Sequence, residues 1–169
     1  EGKYHIVMDE NRSHTFLISN KVWKETSNAL IKSYYYQRCS AELSHEHAGK
    51  WARAAGHPDT KCFVHPSAKT DKSFISAPGG WYDAGDYGKY VVNAGVTTAT
   101  LLYLAEYYPN IFPDGSLNIP EFGNGISDLL DEIRYELEWL SKMQDTDGGV
   151  FFKLTSKNFC KAIMPEEDK

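Results

Sequence analysis

Two aspartates, Asp83 and Asp86, lie three residues apart in a segment rich in glycine and aromatic residues, which reads GGWYDAGDYGKY at positions 79–90. In a tight loop or in the first turn of a helix, this spacing can put both carboxylates on one side, where they can share a water molecule or a metal ion. On a water molecule, one carboxylate would act as general base and the other would hold the water. Glycines allow tight turns, and aromatic faces offer platforms for pyranose rings. The segment therefore predicts half of a sugar-cleaving site.

The same residue types also have structural explanations. A glycine turn with aspartates can cap a helix, or its oxygens can bind calcium, which prefers several oxygen ligands. On residue types alone, catalysis, helix capping and calcium binding all stay open.

The complete string closely resembles the signature of glycoside hydrolase family 9, the inverting cellulases and related β-1,4-glucanases. Further segments resemble the family in the same order along the chain, and they lie at residues 34–39, 55–59, 117–125, 128–133, 143–145 and 148–150. The resemblance therefore covers nearly the whole chain. A module that only binds carbohydrate, or that holds calcium for structural reasons, has no reason to carry these segments in that order, but it remains the alternative.

The resemblance implies roles for individual residues. Asp86 would be the general base and Asp83 would help to hold the same water. Substrate binding is expected from three aromatic residues and one carboxylate: Trp81, Tyr82, Tyr87 and Glu121. The family's acid is a glutamate near the C-terminal end of the complete domain, and no glutamate in this sequence matches it. Glu121 is the one carboxylate kept in reserve for that role, although loop capping or a contact with a substrate hydroxyl suits it better.

Composition limits the classes of partner. The chain has 169 residues, of which 41% are hydrophobic, and a formal net charge of -5. This charge argues against nucleic acid or an anionic membrane as the main partner and is compatible with a neutral polysaccharide. The longest apolar run is too short to span a bilayer. The expected partner is a β-glucan, and this substrate implies an extracellular or periplasmic, secreted protein.

Four residues of the central connection have the chemistry of zinc ligands: Cys39, His57, Cys62 and His65. Their spacing contains no compact pair of the kind found in zinc sites, so we predict neither a metal nor another cofactor. The three cysteines allow at most one internal disulfide.

Hydrophobic periodicity predicts the elements that carry the site. Residues 3–18 read as a β-hairpin, and residues 22–37 as an amphipathic helix. Residues 40–78 form a long polar connection that we expect to border the cleft. Residues 91–108 are apolar almost all round and predict a buried helix. Residues 126–143 predict a second amphipathic helix, in which Asp128, Asp131 and Glu132 are expected to be solvent-facing charges near the positive N-terminal end.

The expected fold class is mainly α. The family resemblance implies an (α/α)6 toroid of twelve helices, which at the usual length of about 11 residues per helix does not fit in this chain. Residues 20–169 are therefore expected to be the N-terminal part of a catalytic domain that needs its remainder as a partner. Residues 1–19 are expected to be the last strands of an immunoglobulin-like module.

Overall fold

The computed structural model describes residues 1–168. Its helices are α1 (Lys24–Tyr36), α2 (His45–Ala48), α3 (Val91–Tyr107) and α4 (Asp128–Lys142), and a 3-10 turn lies at Gly49–Trp51. The strands have two or three residues each: β1 (Gly2–Tyr4), β2 (Val7–Met8), β3 (Asn11–Arg12), β4 (Phe16–Ile18), β5 (Cys62–Phe63), β6 (Phe74–Ile75), β7 (Lys89–Tyr90) and β8 (Lys153–Leu154).

The N-terminal strands form the expected hairpin. β1 pairs antiparallel with β4, so that Tyr4 faces Phe16, and β2 pairs antiparallel with β3 beyond it. Most of the side chains are exposed, because two strands offer little surface for burial. That this hairpin ends an immunoglobulin-like module stays a prediction.

The core forms where α1 meets α4. Ile31 and Tyr35 of α1 are buried in one cluster with Leu129 and Ile133 of α4. These residues recur at four-residue spacing in each helix, so they lie on one face and the two faces meet. The structure therefore confirms the amphipathic helix predicted within residues 22–37.

The prediction that α3 is buried is wrong for most of its surface. Ala94 and Leu101 are buried, and α3 packs on α4. Val92 and Val96 on other faces are 59% and 66% exposed. A helix that is apolar all round needs neighbours on several sides, and the described part of the chain supplies α4 on one of them.

The prediction of solvent-facing acids at the start of α4 is also wrong. Asp128, Asp131 and Glu132 are all buried. Asp128 accepts hydrogen bonds from the backbone N–H groups of Gly115 and Leu117, over 2.8 and 2.6 Å. Buried carboxylates need such partners, and the loop before α4 supplies them. The helix dipole is therefore not what decides where these acids lie.

The long connection at residues 40–78 contains α2, the 3-10 turn and the antiparallel pair β5–β6. The connection contacts residues 79–90, the aspartate segment, through the buried side chain of Lys89. The Lys89 Nζ atom donates to the carbonyl oxygens of Ala77 and Gly79, over 3.0 and 2.7 Å, and lies 2.7 Å from Oδ2 of Asp59. The connection thus fixes the segment to which it is attached.

Candidate functional site

Two glycines bring the aspartate segment directly against α4. Gly79 and Gly80 have φ angles of 90° and 76°, in the left-handed region that favours glycine. A Cβ atom on Gly80 would lie 2.5 Å from Cγ of Trp139. The backbone can therefore pass this close to the indole only because position 80 has no side chain.

The two aspartates lie in one closed loop. The backbone N–H of Asp83 donates to the carbonyl of Gly88 over 2.9 Å, and the N–H of Tyr87 donates to the carbonyl of Ala84 over 3.0 Å. Tyr87 has a φ of 54°, which a non-glycine residue seldom adopts. Asp83 is exposed and Asp86 is half-buried. Of the two conformations that the spacing allows, a tight loop or the first turn of a helix, the segment adopts the loop.

Each carboxylate accepts a hydrogen bond from a side chain that follows the loop. The phenol of Tyr90 donates to Oδ2 of Asp86 over 2.8 Å, and the backbone N–H of Gly88 donates to Oδ1 over 3.2 Å. Nδ2 of Asn93 donates to Oδ1 of Asp83 over 2.7 Å. The hydrogen bond to Asp86 is the main cause that raises the pKa of Tyr90 above its usual value, so the phenol keeps its proton at neutral pH.

Trp81 is held by two glutamates that are one turn apart on α4. Its indole Nε1–H donates to Oε1 of Glu132 over 2.8 Å, and its backbone N–H donates to Oε2 of Glu136 over 2.6 Å. The indole is 6% exposed and lies 4.7 Å from the ring of Tyr34, measured between centroids. Trp81 therefore anchors the segment two residues before Asp83.

Arg38 connects this anchor to Glu121. The buried guanidinium forms a bidentate pair with Glu132 and reaches both carboxylate oxygens of Glu121, over 2.9 and 3.1 Å. Burial lowers the pKa of Arg38, but the two carboxylates outweigh it and raise the pKa above its usual range. Glu121, predicted to bind substrate, is thus fixed by a cation, with its side chain 30% exposed.

Glu136 has one carboxylate oxygen, Oε1, without a hydrogen-bond partner among the described residues. Burial raises the pKa of Glu136 to about 8, against the smaller opposing effects of the Trp81 N–H and the Lys89 ammonium. The carboxyl group is therefore mostly protonated at neutral pH.

A pocket of about 130 Å³ lies beside the loop. Its wall includes the aromatic residues Tyr34, Trp81, Tyr82 and Tyr90 and the polar residues Asp83, Asn93 and Glu136. The structure thus brings Asp83 and two of the predicted aromatic residues around one small cavity.

Tyr82 and Tyr87 belong to a cluster with His57. Their ring centroids are 5.0 Å apart, and the Tyr82 hydroxyl lies 2.8 Å from Nδ1 of His57. The other ring nitrogen of His57 is 3.1 Å from Oδ2 of Asp168, and the Tyr87 phenol donates to the carbonyl of Ile163. The long connection therefore contacts the aspartate segment through His57, and none of its residues lines the pocket beside the loop.

The three cysteines are free thiols. Within residues 1–168, no three His, Cys, Asp or Glu side chains are grouped closely enough to hold a metal ion. Of the helices in the same residues, none has both the length and the apolar character needed to cross a bilayer.

Sequence reasoning missed several residues that hold the site. It assigned no role to Arg38, Glu136, Tyr90 or Asn93 and interpreted Glu132 as a solvent-facing charge. One signal was present: Glu132 and Glu136 are four residues apart and thus share a helix face. Nothing in the sequence indicated that this face meets the indole and backbone of Trp81.

Known proteins resemble this chain along nearly its whole length. The family model described as glycosyl hydrolase family 9 matches residues 23–169. A xyloglucan-specific endo-β-1,4-glucanase of Bacteroides ovatus is 40% identical over 173 residues, which cover 99% of this chain and 29% of that enzyme. A cellodextrinase of Butyrivibrio fibrisolvens is 36% identical over 172 residues, which cover 100% of this chain and 30% of that enzyme. The chain thus spans less than a third of the length of these curated relatives.

Solved structures give the same result. A structure described as Bacteroides ovatus GH9 matches with a TM-score of 0.88 and 39% identity, covering 99% of this chain and 31% of that chain. A metagenome-derived glycoside hydrolase family 9 endoglucanase matches with a TM-score of 0.83 and 41% identity, covering 99% of this chain and 30% of that chain. These matches confirm the resemblance drawn from the aspartate segment. The chain belongs to glycosyl hydrolase family 9.

Proposed function

We propose that this chain forms the water-activating side of a site that hydrolyses β-1,4-glucosidic bonds in cellulose or a related β-glucan, with inversion at the anomeric carbon. The observation that carries the proposal is the closed loop with Asp83 and Asp86, in which a fixed donor orients each carboxylate. Asp83 lines the pocket beside the loop, and carboxylates oriented in this way can bind a water molecule and take its proton.

In this mechanism, Asp86 takes a proton from a water molecule that Asp83 also holds. The water oxygen attacks the anomeric carbon from the face opposite the leaving oxygen. The bond between the anomeric carbon and the leaving oxygen breaks as another carboxyl group, the general acid, gives that oxygen a proton. In inverting glycosidases the two carboxyls are about 6.5–9.5 Å apart, which leaves room for the water. We assign the acid to a glutamate outside these 169 residues, because the chain spans only 29% of the B. ovatus relative.

We assign substrate contacts to the four residues that the family resemblance indicated. Tyr87 is half-buried and can offer part of its ring to a sugar, whereas Trp81 and Tyr82 are buried and would shape the floor beneath it. Glu121 can accept hydrogen bonds from sugar hydroxyls through lone pairs that Arg38 leaves free.

The exposed apolar surface of α3 supports a larger fold. Val92, Val96 and Tyr103 are all more than half exposed, which is unusual for apolar residues that share one helix. We propose that further helices of an (α/α)6 toroid cover them and that the protein is secreted to reach its polymeric substrate.

The direct test is hydrolysis by the full-length protein. The substrates are carboxymethyl cellulose, mixed-linkage glucan and xyloglucan, assayed for release of reducing sugar, with proton NMR of the product formed first. The proposal expects hydrolysis of at least one substrate and the α-anomer as first product. A β-anomer would overturn inversion. Binding of these glucans without hydrolysis would favour a carbohydrate-binding module instead.

A further inference from the structure

The two side chains that donate hydrogen bonds to Asp83 and Asp86 have the same spacing in the sequence as the two aspartates. Asp83 and Asp86 are three positions apart, and so are Tyr90 and Asn93, which bind them. We propose that Tyr90 and Asn93 are positioning residues, which hold Asp86 and Asp83 in the orientation needed to activate water. The kinetic part of this inference rests on the function proposed above.

Tyr90 is itself held rigidly. It is the last residue of β7, where it pairs with Lys153 of β8, and its ring lies 5.7 Å from the Lys153 ammonium. The preceding Lys89 is buried and bound to Asp59. A Cβ atom on Gly88 would lie 2.8 Å from the Tyr90 ring, so the loop folds closely onto that ring. A rigid phenol gives Asp86 a fixed direction.

Asn93 lies in the first turn of α3, directly after β7. The strand and the helix are continuous, so the backbone sets the separation of the two donors. The loop 83–88 is closed by its own backbone hydrogen bond, which limits the separation of the two carboxylates. Two donors and two carboxylates with the same spacing in the sequence are thus held opposite each other.

The hydrogen bonds differ between the two carboxylates. Asp86 accepts a bond at each oxygen, from Tyr90 and from the Gly88 N–H. Asp83 accepts a bond at Oδ1, and its Oδ2 accepts none from residues 1–168. Each donor limits the directions in which its carboxylate can point. Removal of either donor should therefore release the orientation of its carboxylate.

Other ionisable groups around the pair are few within the described residues. Lys153 lies over the Tyr90 ring, Glu136 lines the same pocket as Asp83, and Sγ of Cys160 is 3.8 Å from the carbonyl of Gly85. Substitutions at positions 90 and 93 leave these groups in place.

The experiment compares variants of the full-length protein. Tyr90→Phe and Asn93→Ala each remove one donor, and their matched controls are Tyr4→Phe and Asn110→Ala at exposed positions. A hydrogen bond to a charged group is worth about tenfold to a hundredfold in an equilibrium, so we expect kcat to fall by that factor while KM changes by less than about threefold. The controls should leave both unchanged.

A third variant separates positioning from packing. Asn93→Asp keeps the shape of the side chain but replaces the donor amide with a second carboxylate opposite Asp83, and the like charges repel each other. We expect kcat to fall at least as far as in Asn93→Ala with little change in KM, whereas a side chain that only fills space would leave Asn93→Asp close to wild type. Wild-type activity in all three variants would overturn the proposal, as would loss in Asn93→Ala without loss in Asn93→Asp.

A measurement made without substrate distinguishes failure of this inference from failure of the proposed function. Carbon NMR of the aspartate carboxyl groups, recorded at one neutral pH, reports the hydrogen bonds that each carboxylate accepts. The Asp86 signal should move in Tyr90→Phe and stay in place in Asn93→Ala, and the Asp83 signal should do the reverse. Signals that stay in place in both variants would overturn the positioning role. An inactive wild-type protein whose signals still move in the variants would overturn the glucanase proposal alone.

Discussion

Oε2 of Glu136 accepts the backbone N–H of Trp81 over 2.6 Å. One turn earlier on α4, Glu132 accepts the indole N–H of the same tryptophan over 2.8 Å. The helix therefore holds Trp81 by its backbone and by its side chain, two residues before Asp83. The position of the aspartate loop depends on two buried carboxyl groups that take no part in the proposed chemistry.

The two aspartates should differ in their effect on turnover. In the full-length protein, Asp86→Asn should keep glucan binding and lose about 10²–10⁴ in kcat, because the amide has nearly the same shape but cannot take a proton. Asp83→Asn should cost as much or less. Steady-state kinetics and a binding assay measure both effects, with the exposed Asp9→Asn as control. Near-native hydrolysis by Asp86→Asn, with none by Asp83→Asn, would reverse the two roles.

The stability of the protein should depend on pH through Glu136. Its pKa is about 8 in the folded state, compared with 4.5 for an ordinary glutamate, so the folded state holds the proton more tightly. Its contribution to stability is therefore most favourable below about pH 4.5 and declines as the pH rises to about 8. Glu136→Gln removes this titration. The difference in Tm between wild type and Glu136→Gln should change across that window.

The exposed Glu138→Gln, on the same helix, is the control for that measurement. A Tm difference between wild type and Glu136→Gln that stays constant from pH 5 to 8 would contradict the raised pKa.

Removal of the Arg38 cation should be strongly destabilising. Arg38→Met leaves the buried carboxylate of Glu132 without its ion pair, and such losses typically cost about 3–5 kcal/mol in the free energy of unfolding. Denaturant unfolding measures this cost. The double variant Arg38→Met with Glu132→Gln should recover part of it, whereas Arg12→Met at an exposed position should cost little. A cost below about 1 kcal/mol for Arg38→Met would show that the buried pair is not important for folding.

Two glycines of the aspartate segment should respond differently to alanine. Gly80→Ala puts a Cβ atom 2.5 Å from Cγ of Trp139 at a φ of 76°, so both crowding and backbone strain oppose it. We expect a loss of at least about 2 kcal/mol in stability. At Gly85 an added Cβ atom would have no heavy atom within 4 Å among the described residues, so Gly85→Ala should be nearly neutral. Equal effects at both positions would contradict the close approach of the segment to α4.

Residues 1–169 alone should be poorly cooperative in unfolding. The apolar residues Val92, Val96 and Tyr103 of α3 are exposed, and contiguous surfaces of this kind promote association and dye binding. We expect binding of a hydrophobic dye, self-association in sedimentation and a broad thermal transition. Hydrolysis of β-glucan by these residues alone should not exceed background. A monomer that binds no dye and unfolds sharply would instead be a self-sufficient domain.

The sequence determined the elements that have a strong local signal. The hairpin in residues 2–18 and the helices near residues 24–36, 91–107 and 128–142 follow from hydrophobic spacing, which is a local property. The glycines of the segment with Asp83 and Asp86 allowed a tight loop or the first turn of a helix, and the structure decided for the loop. Family membership followed from the aspartate segment, because that string is specific enough to need no tertiary information.

Only the tertiary structure decided which polar residues are buried. Asp128, Asp131 and Glu132 have the charge and spacing of a solvent-facing helix surface, and the structure buries all three. The partners of two of these acids lie elsewhere in the chain: Arg38 is 94 residues from Glu132, and Gly115 is 13 residues before Asp128. Helix periodicity describes neighbours three or four positions away, so it cannot indicate a partner at that distance.

The same reason applies to the donors of the site. Tyr90 and Asn93 follow the aspartates closely in sequence, but only the return of the chain between Gly88 and Asp83 brings each donor to its carboxylate. The predicted burial of α3 was too high. The sequence of an apolar helix indicates how much surface it is able to bury, but the actual burial depends on which neighbours pack against it in the folded protein.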